Sequence, residues 1–444
     1  MVDVELALTR TLIDVGLAPE WMKAVCDTLT DADSLDLAAI AAEGRGGGNP
    51  VIPLVAHLGA AAEAVRPGAS DHLHVGATSQ DILDTAAMVI AHRVTGEIRT
   101  QLSVFGDNLA TLADENRQTV MAGRTLGQQA SPTSFGLVAA GWLDAVVSTV
   151  DALDRVRAGL PVQLGGAVGN LAVLTEIARS RRTDATPVAV VDEVTAGFAR
   201  RLGLVDPMLS WHTNRVVVTE LGSVLAQAVG VAGAFALDIT VLSRTEIAEV
   251  SERLSAGEGG SSAMPHKRNP VTAVLVAAAA RQAPGLLSTL YGSMLAEDQR
   301  PSGAWHAEWH PLRELERLAM SAVSGASSLA GRLDIDAERM RANLELTDGL
   351  VFSERVTTIL AEALGKTAAF DMVARASRES VDTHRPLQVV LSGSLASDGH
   401  NDRLREALWA AFDYGGDLGR SDAGIDRVLA RHRAHAQAER NTAS

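Results

Sequence analysis

Between Gly257 and Pro270 the chain gathers two serines, a lysine and an asparagine on one short segment, Gly260-Ser-Ser-Ala-Met-Pro-His-Lys-Arg-Asn-Pro270. A segment so rich in Gly and Ser is poor core material. Its backbone N–H groups can instead point at an anion. A serine hydroxyl held among such donors, beside an ammonium group, is suited to carry a proton. Asn269-Pro270 reads as a helix N-cap followed by the first helical residue. The loop would then end at a helix N-terminus, which favours negative charge. A flexible surface turn would account for the glycines and serines, but not for Met264 to Pro270 beside them.

Long helices must position this loop. Trp142, Val146, Val150, Leu153 and Val156 recur every three or four residues and form one apolar stripe. From Thr213 to about Ser255 there is no proline, and apolar residues occupy almost every face. A continuous helix there would be about 60 Å long. One chain of 444 residues can hardly cover such a rod, so the expectation is a bundle built from several chains. Pro270 to Leu295 has the same character. The most membrane-like stretch, Leu221 to Leu237, falls short of the ~20 apolar residues a span needs, and Glu220 and Asp238 flank it. It reads as a helix inside a bundle, and no membrane partner is expected. Strand alternation is not sustained anywhere.

Composition narrows the function further. Hydrophobic residues make up 47% but aromatics only 3%, so the apolar content is aliphatic and suits closely packed helices. A formal charge of -15 argues against a nucleic-acid partner, which would need a basic face. Cys26 is the only cysteine, which excludes an intrachain disulfide and fits a reducing cytoplasm. The start, Met1-Val-Asp-Val-Glu, lacks the basic and apolar regions of a signal peptide. The 12 histidines form no close ligand cluster in sequence, and no glycine-rich nucleotide fingerprint follows a strand. Neither metal nor cofactor is expected.

Two further segments carry chemistry-bearing side chains. One is His74-Val-Gly-Ala-Thr-Ser-Gln-Asp-Ile-Leu-Asp-Thr-Ala86; the other is Ala122-Gly-Arg-Thr-Leu-Gly-Gln-Gln-Ala-Ser-Pro-Thr-Ser-Phe-Gly136. Together with the loop at 260–270, and in this order, they resemble the fumarase/aspartase superfamily. The resemblance spans most of the chain, with the last hundred residues weakly marked. It implies an all-α fold of three helical domains, 1–106, 107–343 and 344–444. The long central helices would assemble as a homotetramer, and each active site would draw on three subunits.

The resemblance also implies roles. Ser261 would be the proton carrier at carbon. Lys267 and Asn269 would grip a carboxylate and stabilise its aci form. Thr78 and Ser79 would bind a substrate carboxylate, although small hydroxyls at a helix start are also simple caps. His74 has two readings, a hydrogen-bonding residue near a helix start or a charge contact with substrate. Asp81 reads as structural, since a carboxylate would repel an anionic substrate. Arg300, His212 and Arg215 are candidate counter-charges. For His212 and Arg215 an internal ion pair at a helix start is the competing reading.

The third segment departs from most of the superfamily. Fumarase, argininosuccinate lyase and adenylosuccinate lyase have a histidine after Arg-Thr, where this chain has Leu126. Leucine cannot donate a proton. An amine must be protonated to leave, whereas a carboxylate leaves as it is. Leu126 therefore fits chemistry in which a carboxylate adds or departs. The branch most similar is that of the bacterial 3-carboxy-cis,cis-muconate cycloisomerases. It shares Gly-Ala-Thr-Ser-Gln-Asp, the non-histidine after Arg-Thr and Gly303-Ala-Trp-His-Ala-Glu-Trp309, with Asn170 and Asn214 as departures. The implied activity is cofactor-free ring closure of a small tricarboxylate in the protocatechuate branch of the β-ketoadipate pathway. A nitrosuccinate lyase, an adenylosuccinate-type lyase and an inactive homologue are the alternatives.

Overall fold

A computed structural model of the chain describes residues 1–30, 35–255, 257–397, 402–413 and 418–443. The fold is all-α, with seventeen α-helices among the described residues. Two compact units make it up. The first comprises 1–99, 151–227 and 282–320; the second comprises 100–150, 228–281 and 321–444. Five long helices contribute residues to both: Ser79–Glu115, Phe135–Ala158, Val216–Leu242, Val271–Gly292 and Ala304–Gly331.

The first unit is organised around the N-terminal helix Val2–Asp14. Its Val4, Leu8 and Leu12 pack with Val190, Val194 and Phe198 of Pro187–Leu202, with Leu174, and with Ile82 near the start of Ser79–Glu115. A neighbouring cluster holds Met22, Val25, Leu54 and Leu58 around the buried Cys26, whose thiol burial pushes up. In the second unit Phe235 packs tilted against Phe105 and edge-to-face against Trp142, and the Trp142 indole N–H donates to Asp238 at 2.8 Å. A separate cluster joins Val356 and Leu360 of Ser353–Leu364 to Met372 and Val373 of Lys366–Thr383.

The expected rod from Thr213 to Ser255 is shorter in the structure. Its helix runs from Val216 to Leu242, 27 residues or about 40 Å. Beyond Leu242 the chain turns, with Ala248 in the left-handed region (φ 54°) and the Glu249 N–H closing onto the Leu242 carbonyl. Val250–Glu252 then pairs antiparallel with Leu333–Ile335, and this pairing draws the backbone out of the helix.

Sustained strand pairing also occurs where none was expected, in a hairpin of Val120–Thr125 with Gln128–Ser134. Leu126 and Gly127 form its two-residue turn, at φ 50° and 81°. Two positive φ values in succession match the right-handed twist of the flanking strands, and Gly127 takes the second at no steric cost.

By length and composition alone, Phe135–Ala158, Val216–Leu242 and Val271–Gly292 are apolar enough to cross a membrane. The second of these corrects the expectation that its apolar stretch is too short to span. On this chain Leu237, Val274, Leu275 and Tyr291 remain exposed along them.

Candidate active site

Thr78 immediately precedes the Ser79–Glu115 helix. Asp81, in the first turn, reaches back to accept the Thr78 N–H at 2.9 Å. This is the acidic half of a capping box. The same fully buried carboxylate accepts the N–H groups of Gly165 (3.0 Å) and Gly166 (2.9 Å) and lies 2.7 Å from His212 Nε2. Asp81 thus joins the helix start to the 165–166 turn and to His212. The Thr78 hydroxyl does not cap the helix; it accepts a bond from Arg300 Nη1 at 2.8 Å. The Arg300 guanidinium also lies 5.9 Å from the Trp305 ring centre. Ser79 is the first helical residue and is half-buried.

His212 and Arg215 were candidates for binding substrate, and the structure commits both to internal carboxylates. His212 is buried against Asp81, and its Nδ1 has no partner among the described residues. Arg215 is buried between Asp84 (2.8 Å) and Glu308 (2.7 Å). Burial opposes the guanidinium charge, but the two carboxylates more than reverse this and raise its proton affinity. Burial pushes the Glu308 carboxyl up against the pull of Arg215. Asp84 also accepts the Trp305 indole N–H at 2.8 Å and the Gln80 amide at 3.2 Å. This cluster stands beneath the helix start and fixes Trp305, on whose face Arg300 rests. Neither Asp84 nor Glu308 was picked out from the sequence. The spacing of Asp84 one turn after Asp81, and the lone acid in Trp-His-Ala-Glu-Trp, are the signals that mark them.

His74 is held by another residue that the sequence reading passed over. Its Nδ1 lies 2.7 Å from Glu5 Oε1, and Glu5 is fully buried on the N-terminal helix.

The 257–270 loop belongs to the second unit. Ser261 Oγ accepts N–H bonds from Met264 (3.1 Å) and Ala263 (3.3 Å). These two donors face the position where negative charge would develop if the hydroxyl gave up its proton. Asn269 departs from the expected N-cap. Its side-chain amide donates backwards to the carbonyls of Gly259 (3.1 Å) and Gly260 (3.4 Å), stapling the two ends of the loop together. The helix begins at Val271, and Glu252 supplies the cap by accepting the Thr272 N–H at 3.2 Å. Gly259 is needed at the staple: its φ is 66°, and a Cβ there would collide with Leu254 and come within 2.9 Å of the Asn269 carbonyl oxygen. Lys267 is exposed.

The third segment forms the hairpin. Arg124 binds Glu249 through two bonds, of 2.9 and 2.5 Å, and Asn343 donates to the same buried carboxylate at 2.7 Å. Arg124 therefore anchors the hairpin. Leu126, at the tip, is fully exposed.

Residues 5–285 match the model of the lyase family. A nitrosuccinate lyase of Streptomyces davaonensis is 44% identical over 394 residues, covering 89% of this chain and 82% of that protein. A 3-carboxy-cis,cis-muconate cycloisomerase of Pseudomonas aeruginosa is 39% identical over 437 residues, covering 98% and 92%. The crystal structure of the 3-carboxy-cis,cis-muconate lactonizing enzyme from Pseudomonas putida aligns with a TM-score of 0.87 at 34% identity, covering 98% of this chain and 93% of that one.

Proposed function

The chain belongs to the lyase family, and from that premise we propose that it catalyses a cofactor-free addition or elimination on a small polycarboxylate. The preferred reading is closure of 3-carboxy-cis,cis-muconate to 4-carboxymuconolactone. The observation that carries it is the contrast between two loops. Ser261 has its oxygen between two N–H donors, while the hairpin tip offers Leu126 and no proton donor. Such a pair can protonate carbon but cannot help an amine leave. The 39% identity to a cycloisomerase over nearly the whole chain supports the same reading.

In this mechanism one substrate carboxylate attacks an alkene carbon. The C=C electron pair moves onto the neighbouring carboxylate as an aci anion. Ser261 O–H then delivers its proton to carbon, and the two loop N–H groups hold the resulting alkoxide until it is reprotonated. Lys267 neutralises the aci form. Asn269 keeps the loop closed around Ser261. Thr78, Ser79, Arg300 and His74 receive the other carboxylates.

The active site would be assembled from several copies of the chain, as a homotetramer. The apolar residues left uncovered on Val216–Leu242 and Val271–Gly292 support this. Light scattering that finds an active monomer would rule it out.

A second reading, elimination of nitrite from nitrosuccinate, is favoured by the 44% identity to a nitrosuccinate lyase. Nitrite, like a carboxylate, leaves without a proton donor. The test is to offer both compounds side by side, following loss of diene absorbance for one and nitrite release for the other. Turnover of adenylosuccinate in preference to both would overturn the leaving-group argument.

A further inference from the structure

We propose that Glu5 is a positioning residue for His74: its buried carboxylate fixes the imidazole with Nδ1 inward and holds the ring cationic, so that Nε2–H faces a carboxylate of the substrate. The substrate half of this inference rests on the reading above; the Glu5–His74 half does not.

The N-terminal helix is apolar around Glu5. Val4, Leu6, Ala7 and Leu8 are all buried, and Glu5 itself is fully buried among them. One oxygen lies 2.7 Å from His74 Nδ1, and the other is buried without a hydrogen-bond partner among the described residues. A carboxylate removed from water and given a single contact needs a charged partner there. His74 is the partner present. Its own backbone supports a fixed role, for φ is 55°, a region uncommon for a residue with a Cβ. The bond to Glu5 turns one ring nitrogen inward. Nε2 makes no bond to the described residues and is not buried.

The charges facing His74 are Glu5, from the first helix, and Asp81, from the Ser79–Glu115 helix. Asp81 already accepts three backbone N–H groups and pairs with His212. The Met1 amino group is a further charge that interacts with Glu5. Burial works against protonation of His74; the Glu5 bond and charge, with Asp81 adding to them, more than reverse this and raise its proton affinity. His74 is thereby kept charged at a pH where a free imidazole is losing its proton.

The test compares the intact protein with Glu5→Gln and Glu5→Asp. Hydrogen–deuterium exchange at the His74 Cε1 position, read by mass spectrometry against pH, gives the midpoint of imidazole titration. Glu5→Gln should lower that midpoint by about one pH unit or more, and Glu5→Asp should restore much of it. Steady-state kinetics with whichever compound the protein turns over supply the second readout. Glu5→Gln should raise KM roughly ten-fold with little change in kcat, and move the alkaline limb of kcat/KM to lower pH.

An unchanged midpoint in Glu5→Gln overturns the proposal, whatever the substrate proves to be. A lowered midpoint with unchanged KM removes the substrate role and leaves Glu5 as a structural partner. If the wild type turns over neither 3-carboxymuconate nor nitrosuccinate, the functional reading fails while the exchange result still decides the Glu5–His74 coupling. Should Glu5→Gln not fold, the wild type and Glu5→Asp carry the test: midpoints above that of a free imidazole in both support the coupling, and midpoints at or below it overturn the proposal.

Discussion

Arg300 donates from Nη1 to the hydroxyl of Thr78 over 2.8 Å, a bond between residues 222 apart in sequence. It ties the start of the Ser79–Glu115 helix to the segment that leads into Trp305. Both partners keep further hydrogen-bonding capacity, so the pair can accept an anion without being taken apart.

Replacing Arg300 with Gln should raise KM for the substrate by about ten-fold or more, as expected for loss of a charge-assisted hydrogen bond. Thr78→Val should do the same to a smaller degree, and the double variant should be less than additive because the two residues act together. Steady-state kinetics decide this; full additivity would mean that they do not form one binding unit.

Ser261→Ala should lower kcat by about a hundred-fold or more, the scale of a lost proton carrier, with the helical circular-dichroism spectrum unchanged. No core residue is disturbed, because among the described residues the hydroxyl bonds to two loop N–H groups. Near-normal turnover in this variant would remove Ser261 from the mechanism.

Arg215→Met should destabilise the fold by about 3–5 kcal/mol, since it strands Asp84 and Glu308 as buried acids with their shared cation gone. Denaturant unfolding measures the loss. A cost below about 1 kcal/mol would place the triad on a par with a surface ion pair.

Glu316 should make the protein less stable as the pH rises. Burial pushes its carboxyl up from 4.5 to about 7, with Arg313 opposing. Between those values the folded chain binds the proton and the unfolded chain does not, so stability falls as pH climbs through the window. Glu316→Gln removes the effect. It should stabilise the protein by about 1–3 kcal/mol at pH 8 and change little at pH 4. Thermal unfolding at the two pH values tests this, and equal shifts at both would contradict it.

What the sequence disclosed, and what it hid, follow from the range of the interactions. Helical character showed in the aliphatic periodicity from Trp142 to Val156, and the 260–270 loop showed in its composition, because both are local properties. The end of the helix at Leu242 did not, since it depends on pairing with Leu333–Ile335, far along the chain. The hairpin was written in Leu126-Gly127, a two-residue turn, but its strands lack clean alternation and include Pro132. For Arg215 and His212 the sequence left substrate contact and an internal ion pair both open, because their acids lie elsewhere: Glu308 is 93 residues from Arg215, and Asp81 is 131 from His212. Glu5 was hidden by the opposite cause. On a helix that also carries Asp3, Arg10 and Asp14, one more acid reads as a solvent-facing position, and only the fold turns Glu5 inward toward His74.

The hairpin tip has a consequence for how such a chain can change. Leu126 is fully exposed among the described residues, and the turn is held by Gly127 and by the Arg124–Glu249 bonds behind it. Its side chain can be exchanged without opening a cavity, and the constraint that remains is its own backbone, at φ 50°, which disfavours β-branched residues. Gly127, at φ 81°, is held more tightly, because any side chain there would strain the turn. The tip therefore offers one position whose side chain can vary in chemistry, on a turn whose second residue preserves the platform.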